Sequence, residues 1–307
     1  MKSWERDPRT HVNVIRRLVD MTDMPPEDAR LVAGELERYV FQRIDEGRWL
    51  PEEITRFHTQ WYREIYRVMG VADPFSKIKR RSNAWAAEVI GGLELASLRA
   101  AVVASIIANR LDYGALEHTP DELPLDADDF AGLESTAFLY DDFEELEAAL
   151  RGARRILYLV DNSGEVLFDK VVIERIRGLN AGARVAVAAK ASPMLNDATI
   201  GELAELGFED LAAVVSTGSN CFGVPEDEVS AEFAAELRSA DVIVAKGQAY
   251  LEFWLSYDMP NLFHLVSTKF PINDPRFGEV PKGENLILGS DRYRHGRSRY
   301  AFDGDRR

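Results

Sequence analysis

Four short apolar runs, 156–160, 185–189, 211–215 and 242–245, recur through the second half of the chain, and helical patterns of about ten to fifteen residues separate them. Alternation of this kind argues for βαβ units and a parallel sheet covered by helices. Each run ends in a polar cluster: Asp161-Asn162-Ser163-Gly164-Glu165, then Ser192-Pro193 with Asn196-Asp197, then Ser216-Thr217-Gly218-Ser219-Asn220, then Lys246-Gly247-Gln248. If the runs are parallel strands of one sheet, all four clusters meet along one edge, where open α/β sheets bind their ligands.

The first 115 or so residues read instead as helices. Pro25-Pro26 opens one, with Leu31, Val32, Leu36, Val40 and Ile44 recurring at about one turn. A second follows Pro51, placing Ile54, Phe57, Trp61, Ile65 and Val68 on one face. Residues 98–107 carry only Arg99 and Ser105 among apolar side chains, the pattern of a helix central to its domain. The expected fold is therefore α/β, a Rossmann-like parallel sheet flanked by helices, with an N-terminal all-helical domain. The expected division is a helical domain over 1–116, an acidic connector and lead-in helix over 117–152, an α/β domain with the site over 153–291, and an Arg-rich tail over 292–307.

A length of 307 residues suits two cores, and 46% apolar content is enough to fill them. The net charge of −15 repels nucleic-acid backbone and anionic membrane, so neither is an expected partner. Cys221 alone permits neither an internal disulfide nor a thiolate zinc cage. Residues 1–7 lack an apolar signal core, and no stretch approaches the length of a bilayer span, which points to a cytoplasmic protein. Oligomeric state is not legible.

Asp161 and Asn162 offer neighbouring oxygen ligands, and Asp197 adds a carboxylate from the next turn. Such hard donors suit Mg²⁺ or Mn²⁺, with Co or Ni able to occupy the same oxygens, and no histidine stands in any of the clusters. Both acids also read as helix N-caps. Lys246 with Gly247 can bring a charge and bare backbone N–H groups to a phosphate. Thr217-Gly218-Ser219 is a similar hydroxyl-and-amide turn or an ordinary loop. Glu165 is either a general base or an acid favoured by the helix dipole. Fingerprints of dinucleotide, Walker-type and serine-elbow sites are missing. His264 reads as a core or edge residue of a strand, and Cys221 as a small buried one.

In order, Asp161-Asn162-Ser163-Gly164-Glu165, Asn196-Asp197-Ala198-Thr199 and the segment 240–248 resemble the motifs of the damage-control phosphatase family, formerly a domain of unknown function. Asp73-Pro74-Phe75, Lys79-Arg80, Ser82-Asn83 and the segment 108–114 resemble its compact bacterial and archaeal branch. The resemblance implies a divalent metal held by Asp161, Asn162 and Asp197, and phosphate contact by Lys246 and Gly247. It further implies that Asn83, Asn109 and Asp112 approach the cleft from the helices, and that the substrate is a small phosphorylated metabolite such as a sugar phosphate, a nucleotide or a damaged metabolite. The candidate substrate contacts are thus Asn83, Asn109, Asp112, Thr217, Gly218, Ser219, Gly247, Gln248 and Tyr250, with Asp161, Asn162, Lys246 and Glu165 as the chemical core. Three positions depart from the family pattern: no Cys-x-x-Cys pair opens the chain, Tyr250 stands where Asn is usual, and Phe270 stands where Cys follows a lysine. The expected activity is metal-dependent hydrolysis of a phosphate monoester, with water or a carboxylate as nucleophile. Two alternatives stay open: a metalloenzyme performing another step on a small metabolite, and a non-catalytic module that binds phosphometabolites. Methyl transfer from S-adenosylmethionine fits poorly, because Asp161-Asn162 occupies the turn where a nucleoside cofactor needs glycines.

Overall fold

The computed structural model of the chain describes residues 19, 24–45, 51–113 and 123–294. Residues 117–122 of the expected acidic connector and 295–307 of the Arg-rich tail lie outside them. Residues 1–77 and 78–307 form two compact units. In the first, α1 (Pro26–Asp45) starts at a proline, and α2 (Pro51–Met69) buries Trp61, Tyr62, Ile65, Tyr66 and Met69 along one face.

The second unit takes in nearly all of α3 (Ser76–Gly91), together with α4 (Leu98–Ala108) and the sheet. The seven-stranded sheet has the order β1-β9-β6-β5-β2-β3-β4. Its central strands are β2 (Arg155–Leu159), β3 (Arg184–Ala189), β4 (Ala213–Ser216), β5 (Val242–Lys246) and β6 (Leu262–Ser267), parallel throughout. The expected parallel sheet needs one qualification, because β9 (Asn285–Gly289) runs antiparallel to β6, and the two-residue β1 (Tyr140–Asp141) pairs with β9. A connection through the hairpin of β7 (Ile272–Asp274) and β8 (Gly278–Val280) turns the chain back without a crossover helix.

Helices α5 (Phe143–Gly152), α6 (Glu165–Leu179), α7 (Ile200–Glu205), α8 (Ala231–Ser239) and α9 (Gln248–Trp254) link the strands. Alternate strand residues serve opposite faces. Ile156, Tyr158, Val185, Val187, Val242 and Val244 pack with α4 and α6, while Leu157, Leu159, Ala186, Ala188, Ile243 and Ala245 pack with α8 and α9. Two covered faces explain why the strands read as unbroken apolar runs. Helix α4 is apolar all round because it contributes to the sheet core through Ala101, Val102 and Ile106 and to a second core through Val103, Ala104 and Ile107. That second core also holds Leu125 and Phe130 of the acidic stretch, with Phe130 stacked on Phe168 at 4.9 Å between centroids.

From β2 the chain winds outward to β3 and β4, then returns to lay β5 on the other side of β2. The strand order therefore reverses between β2 and β5. Asp161 follows one of these strands and Gly247 the other, which puts both at the crevice such a reversal opens.

Candidate functional site

The turn after β2 and the loop after β3 are stitched together by backbone. Asn162 and Asp197 form an isolated antiparallel bridge, Ala198 N donates to Asp161 O at 2.7 Å, and Ser163 N donates to Asn196 O at 2.8 Å. Asn196 reaches the helices too: its Nδ2 donates to Leu111 O at 2.7 Å and its Oδ1 accepts from Tyr113 N at 3.1 Å. These contacts place the carboxylates of Asp161 and Asp197, 8% and 7% exposed, in one cleft.

Neither acid is a helix cap. Gly164 precedes α6 without a side-chain cap, and Thr199, not Asp197, caps α7. The Asp161 carboxylate instead accepts from Asn109 Nδ2 at 3.0 Å and Asn162 Nδ2 at 2.9 Å through Oδ2. It also lies against Gly247, where a Cβ would fall 1.9 Å from Oδ2. At φ +82° and ψ 162°, Gly247 occupies backbone space that only glycine enters without strain.

Two lysines face these acids. Lys190, at the end of β3, lies 3.2 Å from Asp197 Oδ2, with its ammonium 5.6 Å from the Phe222 ring centroid and 5.9 Å from that of Tyr250. Lys269, just past β6, lies 2.5 Å from Asp112 Oδ2 and 3.6 Å from Asp161 Oδ2. Burial pushes the Asp161 pKa well above the usual carboxylate range against the pull of Lys269, and the nearby Glu165, Asp197 and Asp112 push it further. Burial also raises Asp197, with Lys190 opposing. Burial would lower Lys269, but Asp112 and Asp161 outweigh it and leave the ammonium held above its ordinary value.

Gln248 fixes the Lys269 segment. Its Oε1 accepts from Lys269 N at 2.8 Å and Phe270 N at 3.1 Å, and its Nε2 donates to Phe270 O at 3.1 Å. Asn83 ties α3 to the same turn, its Oδ1 accepting from Gly164 N at 2.5 Å and its Nδ2 donating to Glu202 at 2.7 Å. Tyr250 is 3% exposed, and its hydroxyl is enclosed without a hydrogen-bond partner. Burial, reinforced by Asp197 and Asp161, raises its pKa, so the phenol keeps its proton.

Other expected contacts already hold partners within the protein. Lys246 is fully buried, 3.0 Å from Glu165 and 3.2 Å from Asp169, and its Nζ also donates to Ser105 O at 2.9 Å and to the Ser105 hydroxyl. Glu165, equally enclosed, accepts from the side-chain amides of Asn109 and Asn162. Gly247 N donates to Leu265 O and Gly218 N to the Ser216 hydroxyl, both at ordinary distances of 3.2 and 3.1 Å. Thr217 Oγ1 donates to Ser219 O, Ser219 Oγ accepts from Cys221 N, and Gly218 packs where a Cβ would meet Ser230 N at 2.3 Å. That cluster joins β4 to α8.

Sequence reasoning passed over Lys190 and Asp169. Lys190 follows its apolar run just as Lys246 does, and Asp169 stands four residues after Glu165, on the same helical face. Both signals were legible.

A family model described as the damage-control phosphatase ARMT1-like domain matches residues 6–271. A damage-control phosphatase of Pyrococcus horikoshii, PH1575, is 36% identical over 228 residues, covering 73% of this chain and 77% of its own. A damage-control phosphatase of Archaeoglobus fulgidus is 30% identical over 257 residues, 79% of this chain and 87% of that one. The crystal structure of a DUF89 family protein from P. horikoshii aligns with a TM-score of 0.75 at 28% identity, over 92% of this chain and 96% of that chain. With a matched model spanning most of its length and relatives 36% and 30% identical over the aligned residues, this chain belongs to the damage-control phosphatase ARMT1-like family.

Proposed function

We propose that the chain is a metal-dependent phosphatase that removes phosphate from a small phosphorylated metabolite. The observation that carries this reading is the pairing of Asp161 and Asp197 in one cleft with Lys190 and Lys269 beside them. The names of its relatives support it. Among the described residues, no three acid, histidine or cysteine side chains gather into a metal-holding group. Two carboxylates and one amide oxygen cannot enclose an ion, and they suit Mg²⁺ or Mn²⁺, which retain waters and take substrate oxygens. Asp161, Asn162 and Asp197 would hold it. Such an ion supplies Lewis acidity, neutralising phosphoryl charge and making a water more acidic.

The remaining work falls to side chains. Lys190 and Lys269 balance charge that builds on the phosphoryl oxygens, a task for which Lys246 is too deeply enclosed. Lys269 is held in place by Gln248 and Asp112. Tyr250, protonated and enclosed, is not a nucleophile. A panel of sugar phosphates, nucleotides and simple aryl phosphates, assayed with Mg, Mn, Co and Ni, tests the reading. Ion-dependent phosphate release is expected, falling on the order of a hundredfold in Asp161→Ala. No release with any pair, or full ion-dependent turnover by folded Asp161→Ala, would refute it.

A further inference from the structure

Behind the cleft lies a buried chain of charge that the reaction does not touch. Lys246 has three N–H donors, and Glu165, Asp169 and Ser105 take them, all within a fully enclosed region. Asp169 is held in turn by the hydroxyls of Ser105 at 2.6 Å and Tyr158 at 2.8 Å. The Glu165 carboxylate faces amides as well as Lys246. It accepts from Asn162 N at 3.2 Å, Asn162 Nδ2 at 2.8 Å and Asn109 Nδ2 at 2.9 and 3.0 Å.

A side-chain amide is planar, with its donor and acceptor on opposite branches. Asn162 spends Nδ2 on Glu165 and Asp161, so its carbonyl oxygen is turned from both. A flipped amide would set that oxygen against two carboxylates. Asn109 is locked likewise, Nδ2 on the acids and Oδ1 accepting from Ser267 N at 3.2 Å.

We propose that Glu165 is a positioning residue: held by Lys246, it fixes the Asn162 amide so that its oxygen, and not its nitrogen, is offered to a divalent cation. The inference rests on the ion placed above at Asp161, Asn162 and Asp197. Asp169, held by the hydroxyls of Ser105 and Tyr158, then serves as the second counter-charge for Lys246.

Titration of the full-length protein with Mn²⁺ by calorimetry, beside urea denaturation, tests it. Glu165→Gln keeps the side-chain shape and leaves Lys246 paired with Asp169, so the fold is expected to hold. Mn²⁺ affinity should fall about 10- to 100-fold, the usual effect of losing an outer partner of a metal ligand. Asp169→Asn removes an equal charge from the same lysine and should leave Mn²⁺ affinity within about threefold of wild type, whatever it does to stability. Should Glu165→Gln fail to fold, Glu165→Asp keeps the charge but shortens the reach to Asn162, and a drop of the same sign is expected. Equal losses in the Glu165 and Asp169 variants, or no loss in the former, would overturn the inference alone. A wild-type protein that takes up no divalent ion would overturn the underlying reading with it.

Discussion

Replacing Gly247 by alanine separates two costs that the structure assigns to one position. The first is backbone. At φ +82° and ψ 162° a Cβ is strained whatever surrounds it, which costs about 1–3 kcal/mol. The second is collision: the new methyl would stand 1.9 Å from Asp161 Oδ2 and 2.4 Å from its Cγ, so the carboxylate must retreat by well over an ångström. Asp161 is pinned by Asn109 and Asn162, and moving it breaks both bonds. A displacement of about 1 Å in a catalytic group costs on the order of a hundredfold in rate. Gly283→Ala is the control, since it shares a positive φ of +88° but meets nothing within 4 Å. Urea denaturation should show both variants destabilised, whereas ion-dependent phosphate release should collapse only in Gly247→Ala. Equal turnover in the two would refute the placement of Asp161 at the centre of the cleft.

Tyr250→Phe deletes a hydroxyl that is enclosed without a partner, so the ligand-free protein should gain about 1–3 kcal/mol in urea denaturation; a loss of stability would mean the hydroxyl is bonded. For His264, burial in β6 lowers the pKa to about 3, below the ordinary 6.5. The unfolded chain therefore binds a proton between these values that the folded chain refuses, and the His264 contribution to stability, intact above about pH 6.5, is lost as pH falls. Relative to His264→Gln, wild-type protein should lose about 2 kcal/mol between pH 7 and pH 5, and an unchanged gap would contradict the assignment. Phe168→Ala removes the ring stacked on Phe130 and should cost about 3–5 kcal/mol in the same assay; a cost under about 1 kcal/mol would show that the acidic stretch is not anchored there.

Much of this architecture is written locally. The runs 156–160, 185–189 and 242–245 are buried on both faces and read as strands without any knowledge of their neighbours, whereas 211–215, on the edge of the sheet, is only partly covered. Their polar ends reach one edge because the strands between β4 and β6 are all parallel. The run 286–288 carries no mark of direction, so the antiparallel β9 was not legible. Lys246 misleads for another reason. A lysine at a strand end ordinarily reaches water, and it is the approach of Ser105 from α4 and of Glu165 and Asp169 from α6 that encloses it. Likewise Asp161 and Asp197 look like caps until Gly164 and Thr199 are seen to occupy those positions. The aromatic contacts of Lys190 arise between residues far apart in the chain, beyond what spacing reveals.

If Asp161, Asn162 and Asp197 share one divalent cation, a crystal soaked in Mn²⁺ will reveal it in an anomalous-scattering map. A single peak within about 2.0–2.3 Å of oxygens from all three side chains is the expected result. A peak bound elsewhere, with Asp161 and Asp197 still paired only to Lys269 and Lys190, would contradict it.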